Sequence, residues 1–199
     1  MQGRIKNLVF DVGGVIILIG KINFIRFDKK LGLPAGTLEN IVKTCSRRAV
    51  TDNRFDERRF FEKRFAGLLG WRDYNRILQL WFDTERLNTG LIRWIGSKRK
   101  NYRIILLTNY TVALTWRLKK KFRIAHYFDR IFNSVDIGIT KPDPKIFKHF
   151  LKTIKAKAGE CLFVDDQKKN IGAAKKLGFK TIWFKNNREF LAKARRLGI

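Results

Sequence analysis

Three short runs of this chain are apolar without alternation, and each stops at a polar residue. Ile5–Phe10 runs into Asp11, Arg103–Leu107 into Thr108, and Cys161–Val164 into Asp165-Asp166. A strand without alternation is covered on both faces, the condition of a strand inside a parallel sheet. Arg130–Asn133 and Lys180–Phe184 read as two further strands. Helical patterns separate the later runs. Asp143-Pro144 is a helix start, an N-cap followed by proline at the first helical position. Ile146, Phe147, Phe150, Leu151 and Ile154 continue it as an apolar stripe. A second helix is expected over about 170–177, closed by Gly178, and a last one over about 189–197. This alternation predicts an α/β fold: a Rossmann-like, doubly wound parallel sheet of about five strands.

Residues 20–88 differ. They carry helical stripes and no convincing strand. Leu38, Ile41, Val42 and Cys45 form one stripe; Phe60, Phe61, Phe65, Leu68 and Leu69 form a second, with Asp56 as its N-cap; Tyr74, Ile77, Leu78, Trp81 and Phe82 form a third. The aromatics sit at helical spacing and read as core rather than as a base-stacking platform. A small helical cap is therefore expected at 20–88, inserted after strand one into a core domain of residues 1–19 and 89–199.

A chain of 199 residues, 45% of them apolar, suits one domain with a small insertion. No run of 18 apolar residues is free of charge, so no membrane span is expected. The first 20 residues are basic and then apolar, but Asp11 interrupts them and no small-residue cleavage site follows, so they read as a core strand. Cys45 and Cys161 lie far apart with no metal-ligand spacing, as expected of buried free thiols in a reducing cytoplasm. Lys and Arg number 44 against 17 Asp and Glu, a net charge of +27. Such a field attracts phosphates, nucleic acids and anionic surfaces. The basic residues are spread along the chain, with short clusters at Lys98–Lys100, Lys119–Lys121 and Arg195-Arg196, which reads most simply as a solvated surface.

In an open parallel sheet, ligands bind beyond the carboxyl ends of the strands. Asp11 follows the first strand, on a loop whose Gly13 and Gly14 let backbone amides approach a ligand. Thr108, Lys141 and Asp165-Asp166 follow later strands. Carboxylates, a hydroxyl and a lysine thus meet on one rim. A carboxylate there can be a nucleophile, a metal ligand or both.

The constellation resembles the haloacid dehalogenase-like superfamily. An apolar strand ending in Asp matches Val9-Phe10-Asp11-Val12-Gly13-Gly14-Val15. Apolar residues before Ser/Thr-Asn match Ile105-Leu106-Leu107-Thr108-Asn109. The lysine motif matches Thr140-Lys141-Pro142-Asp143-Pro144. The acidic motif matches Leu162-Phe163-Val164-Asp165-Asp166, with Asn170-Ile171-Gly172-Ala173-Ala174 and Leu177-Gly178 after it. The match covers nearly the whole chain, and a helical cap between the first two motifs is usual in that family.

The resemblance implies a Mg²⁺-dependent phosphatase acting on a small phosphorylated metabolite. Asp11 would attack phosphorus and form an aspartyl-phosphate. Mg²⁺ would be held by Asp11, the Gly13 carbonyl and Asp166, with Asp165 acting through a bound water. Thr108, the Asn109 amide and Gly14 would bind the phosphoryl group, and Lys141 would neutralise it while keeping Asp11 ionised. The implied partners are a small phosphorylated substrate and, through non-specific positive charge, nucleic acid. No membrane partner is expected, and the chain would be a monomer or weak homodimer.

Gly13 departs from the family's usual pattern, which has a second aspartate there for acid–base work typically worth about 10²–10⁴-fold. Three readings follow. A phosphatase remains one, because a subset similar to sugar-phosphate phosphatases carries Asp-x-Gly-x-Val, and a good leaving group needs less protonation; Asp83, Glu85 or Asp52 could also serve. A metal-independent 2-haloacid dehalogenase is a second, although Asp165-Asp166-Gln167 preserves acidic groups for a cation. A catalytically weak or inactive binding protein for polyanions or nucleic acid is the third. His126 and His149 read as surface or packing residues.

Overall fold

The computed structural model describes residues 4–20, 23–52, 54–65, 67, 69–111 and 116–199. β1 (Asn7–Phe10) is followed by β2 (Ile17–Leu18) and four helices: α1 (Phe24–Lys30), α2 (Thr37–Ala49), α3 (Glu57–Phe65) and α4 (Trp71–Thr84). β3 (Arg86–Leu87), α5 (Thr89–Lys98) and β4 (Arg103–Thr108) come next, then a π-helical turn at Arg117–Lys121 and β5 (Arg130–Asn133). α6 (Pro144–Ile154), β6 (Cys161–Asp165), α7 (Lys168–Lys176), β7 (Lys180–Trp183) and α8 (Asn187–Arg196) follow.

Five strands form one parallel sheet in the order β5-β4-β1-β6-β7. The chain passes from β1 to β4 on one side and later to β6 on the other. That reversal opens a crevice beyond the carboxyl end of β1. Successive side chains point to opposite faces, and both faces are apolar. Leu8, Phe10, Ile104, Leu106, Leu162 and Val164 meet Leu91, Ile92 and Ile95 of α5 and Phe190 of α8. Val9, Ile105, Leu107 and Phe163 meet Ile146, Phe147, Phe150 and Ile154 of α6 and Ala174 of α7. Burying each large side chain stabilises the fold by about 1.5–3 kcal/mol relative to exposure. Two-sided burial explains the missing alternation in the sequence.

The expected caps form. Asp143 Oδ1 accepts from the Lys145 amide at 2.8 Å, with Pro144 opening α6, and Asp56 Oδ1 accepts from the Arg59 amide at 2.8 Å ahead of α3. The helical segment has its own apolar cluster of Leu38, Ile41, Val42, Cys45, Phe61, Tyr74 and Ile77. Leu68 lies outside the described residues, as does the side chain of Trp81. Phe82 turns away from that cluster toward the cavity described below. Cys45 and Cys161 are buried free thiols, and burial pushes Cys161 up to about 12.

Three elements were not anticipated. α1 is one. Its buried Asp28 accepts from the amides of Gly36 at 2.7 Å and Leu38 at 3.0 Å, supplying at a distance the cap that Gly36 lacks for α2. α5 is another. Its stripe is short and broken by Gly90 and Gly96, and Gly96 packs so tightly that a Cβ there would lie 3.0 Å from Tyr127. The third is the antiparallel pair Ile17↔Leu87 and Leu18↔Arg86, which ties the two ends of the helical segment together. No described helix is long and apolar enough to cross a membrane.

Candidate active site

Strand ends bring the sequence-predicted residues together. The Asp11 amide donates to Val164 O at 2.9 Å, so the chain stays in register with β6 up to Asp11. Asp11 Oδ1 accepts from the Val12 amide at 2.7 Å and lies 2.9 Å from Lys141 Nζ. Lys141 Nζ also donates to Asp165 Oδ2 at 2.7 Å. The Lys141 side chain is only 1% exposed, so its ammonium is a buried charge shared by two carboxylates. Burial pulls its basicity down, but Asp11 and Asp165 more than reverse this and hold it charged above the usual lysine range. Asp11 ends above its usual range because burial outweighs the opposing pull of Lys141, with Asp165 adding repulsion.

Asp165 is fully buried and uses both oxygens within the protein. Oδ1 accepts from the Gln167 amide at 2.8 Å, and Asn170 Nδ2 reaches both oxygens at 3.0 Å. Asp166 is different. Its Oδ1 is buried with no hydrogen-bond partner among the described residues, and its carboxyl is pushed up to about 6 by burial first and then by the charges of Asp11 and Asp165. Ligand oxygens of Asp11, Asp165 and Asp166 lie within 4.8 Å of one another. An orphaned carboxylate oxygen beside two more carboxylates fits a hard divalent cation, which prefers such donors.

Gly14 makes this approach possible. Its φ is +75°, and a Cβ there would lie 2.7 Å from Asp166 Cγ and closer still to Oδ2. Gly13 needs no such exemption, because an added Cβ would meet only Ile19 Cδ1, at 3.7 Å. Thr108 is buried, and its hydroxyl has no hydrogen-bond partner among the described residues. The Asn109 side chain does something the sequence did not indicate. It holds the Lys141 backbone on both sides of its Cα, donating to Lys141 O at 2.9 Å and accepting from Lys141 N at 2.9 Å.

A cavity of about 590 Å³ opens over these groups and reaches into the helical segment. Asp11, Gly13, Gly14, Asn109, Lys141 and Asp166 line its floor. Val50, Phe55, Leu78 and Phe82 give it apolar walls, set with Asp52, Glu57 and Glu85. Of the alternative acids considered from sequence, Asp52 and Glu85 line the cavity. Asp83 does not; it is exposed and accepts from Gln79 Nε2 at 2.7 Å. Glu85 is buried and ion-paired with Arg117, and accepts from the Tyr110 hydroxyl at 2.9 Å. The Arg117 guanidinium stacks over Phe82 at 3.9 Å. Sequence reasoning missed Tyr110 and Arg117, since a buried arginine in a basic stretch looks like any surface cation. His126 and His149 are exposed and do not line the cavity.

Comparison with known proteins shows the family. A D-ribitol-5-phosphate phosphatase of Bacteroides thetaiotaomicron is 31% identical over 198 residues, covering 94% of this chain and 95% of that protein. The solved structure of a HAD-like family hydrolase from Porphyromonas gingivalis superposes with a TM-score of 0.81 at 25% identity, covering 98% of each chain. A HAD family enzyme of Bacteroides thetaiotaomicron, solved in complex with magnesium and inorganic phosphate, shares the fold with a TM-score of 0.73 at 23% identity over 92% of this chain and 96% of that one. The sequence model of the haloacid dehalogenase-like hydrolases matches residues 5–178, and the chain belongs to that family of hydrolases.

Proposed function

We propose that this hydrolase is a Mg²⁺-dependent phosphatase of small phosphorylated metabolites, sugar phosphates foremost, working through phosphoryl transfer to Asp11. One observation carries the reading. Lys141 bridges Asp11 and Asp165 at 2.9 and 2.7 Å, beside an Asp166 oxygen that has no partner among the described residues, at the floor of a cavity large enough for a metabolite.

The residues divide the work as follows. Thr108, whose hydroxyl is otherwise unpaired among the described residues, and the Asn109 amide would bind phosphoryl oxygens, with the loop at Gly14 beside them. Lys141 would offset the negative charge of the transferring group while holding Asp11 ionised. Asp11 Oδ2, the oxygen not engaged by Val12 or Lys141, would attack phosphorus. Water would then hydrolyse the aspartyl-phosphate. Asp11, Asp166 and the Gly13 carbonyl would hold a Mg²⁺ ion, with Asp165 reaching it through a water; bound there, the ion would offset the repulsion between carboxylate and phosphate. The helical segment would act as a cap over the leaving group.

The Bacteroides relative, a D-ribitol-5-phosphate phosphatase, is in keeping with this substrate class. A metal-independent dehalogenase would have no use for a carboxylate like Asp166. A polyanion-binding role has only the +27 charge to support it. The two buried thiols suit a cytoplasmic location.

Phosphate release from a panel of sugar phosphates and one aryl phosphate tests the proposal, with Mg²⁺ or EDTA, for the wild type and Asp11→Asn. Turnover that needs both Mg²⁺ and Asp11 is expected. Turnover that survives EDTA or Asp11→Asn would rule out this mechanism.

A further inference from the structure

We infer that the site supplies no proton to the leaving group, so that phosphates with a weakly basic leaving oxygen (anomeric sugar phosphates, acyl phosphates and aryl phosphates) are turned over far faster than esters of ordinary alcohols. The inference rests on the phosphatase reading above and names its substrate class.

The loop that carries the nucleophile presents bare peptide to the leaving group. Gly13 lines the cavity two residues beyond Asp11, and the nearest side chain to its missing Cβ is apolar, Ile19 Cδ1 at 3.7 Å. Asp166 lies on the floor of the cavity among the carboxylates that would hold the cation, which needs it ionised, and the acids of the walls have other partners. Glu85 is paired with Arg117 and takes the Tyr110 hydroxyl proton in a hydrogen bond. Glu57 Oε1 accepts from Tyr74 OH at 2.5 Å, and Asp52 Oδ1 from the Arg54 amide at 2.9 Å. Lys141 is held between Asp11 and Asp165. Neither histidine lines the cavity. The residues outside the described set carry no carboxylate and no histidine.

The chemistry follows. Asp11 Oδ2 bonds to phosphorus, the phosphorus–oxygen bond to the leaving group breaks, and its electron pair stays on the leaving oxygen. That oxygen departs as an anion or takes a proton from water. A hemiacetal, a carboxylic acid or a phenol tolerates this better than a primary alcohol. Water next attacks phosphorus, the bond to Asp11 breaks, the carboxylate is restored and the proton passes to solvent. Unaided by a base, this second step is slow, so aspartyl-phosphate accumulates when the first step is fast. D-ribitol 5-phosphate, an ester of a primary alcohol, belongs at the slow end for this chain.

The test is kcat/KM over a series of aryl phosphates of graded leaving-group acidity, with acetyl phosphate, an anomeric sugar phosphate, D-ribitol 5-phosphate and glycerol 3-phosphate, all with Mg²⁺. The proteins are the wild type, Gly13→Asp, Asp52→Asn, Glu57→Gln and Glu85→Gln. The expected wild-type rates fall by about 10²-fold or more from good to poor leaving groups, with a pre-steady-state burst on the good ones. The three carboxylate variants should keep the wild-type slope. Gly13→Asp, for which the backbone leaves room, should raise the poor end selectively. A wild-type series that is already flat, or one made steep by a single carboxylate variant, would overturn the inference and identify the acid. Absence of Mg²⁺-dependent turnover on every phosphate would remove the underlying reading and this inference with it; turnover with a flat series would remove the inference alone.

Discussion

The Asn109 side chain holds the backbone of Lys141 on both sides of its Cα: Asn109 Nδ2 donates to Lys141 O, and Asn109 Oδ1 accepts from Lys141 N, each at 2.9 Å. This ties the loop after β4 to the loop that carries Lys141, whose ammonium meets Asp11 beyond β1 and Asp165 at the end of β6. Asn109→Ala should therefore lose about 1–2 kcal/mol of stability, the sum of two partly buried hydrogen bonds. It should also lower kcat/KM by up to about 10²-fold through a misplaced ammonium. Urea unfolding and steady-state kinetics would check both. Asn109→Asp, which keeps the acceptor but not the donor, should fall between.

Removing the Lys141 charge leaves Asp11 and Asp165 buried together without their shared cation. Lys141→Met is expected to cost about 3–5 kcal/mol near neutral pH. The deficit should shrink in mild acid, where one carboxylate can take up a proton. A deficit independent of pH would mean that packing, not charge, is what Lys141 contributes.

Gly13 and Gly14 are adjacent but should respond differently. Gly14→Ala places a Cβ against the Asp166 carboxyl at a φ of +75°, so strain of about 1–2 kcal/mol and a displaced Asp166 are expected together. Gly13→Ala meets only Ile19 and should change stability by less than about 0.5 kcal/mol. Thermal unfolding with a Mg²⁺ titration separates the pair: only Gly14→Ala should weaken the response to the metal.

Asp166 gives a pH dependence with a definite sign. Its carboxyl is raised from 3.8 to about 6, so between those values the folded protein holds more protons than the unfolded chain. The contribution of this group to metal-free stability therefore falls as pH rises through that window, and is constant outside it. Mg²⁺ needs the ionised form, so its affinity should rise over the same range and level off above about 6. Asp166→Asn should weaken both trends, leaving the share that the raised Asp11 carboxyl contributes. Unfolding midpoints with and without Mg²⁺ at stepped pH would check this.

Much of the fold was legible because two-sided strands and capped helices leave plain marks. The runs at Leu8–Phe10, Ile104–Leu107 and Leu162–Val164 have no polar face because α5 and α8 cover one side and α6 and α7 the other. The β2/β3 pair is too short to show a period, and α5 is broken by glycines. The residues gathered at the strand ends were legible from order and spacing. Their connections were not. That Asn109 holds the backbone of Lys141, or that Arg117 lies buried against Glu85 and Phe82, depends on contacts between segments distant in the chain.

The central claim is that Asp11 takes the phosphoryl group. It is tested most directly by mixing enzyme, Mg²⁺ and a fast aryl or acyl phosphate, quenching in acid within one turnover, and weighing the peptide that contains Asp11. A phosphoryl adduct on that peptide, absent in Asp11→Asn and absent with EDTA, is the expected result. Turnover with no adduct, or an adduct on another residue, would contradict it.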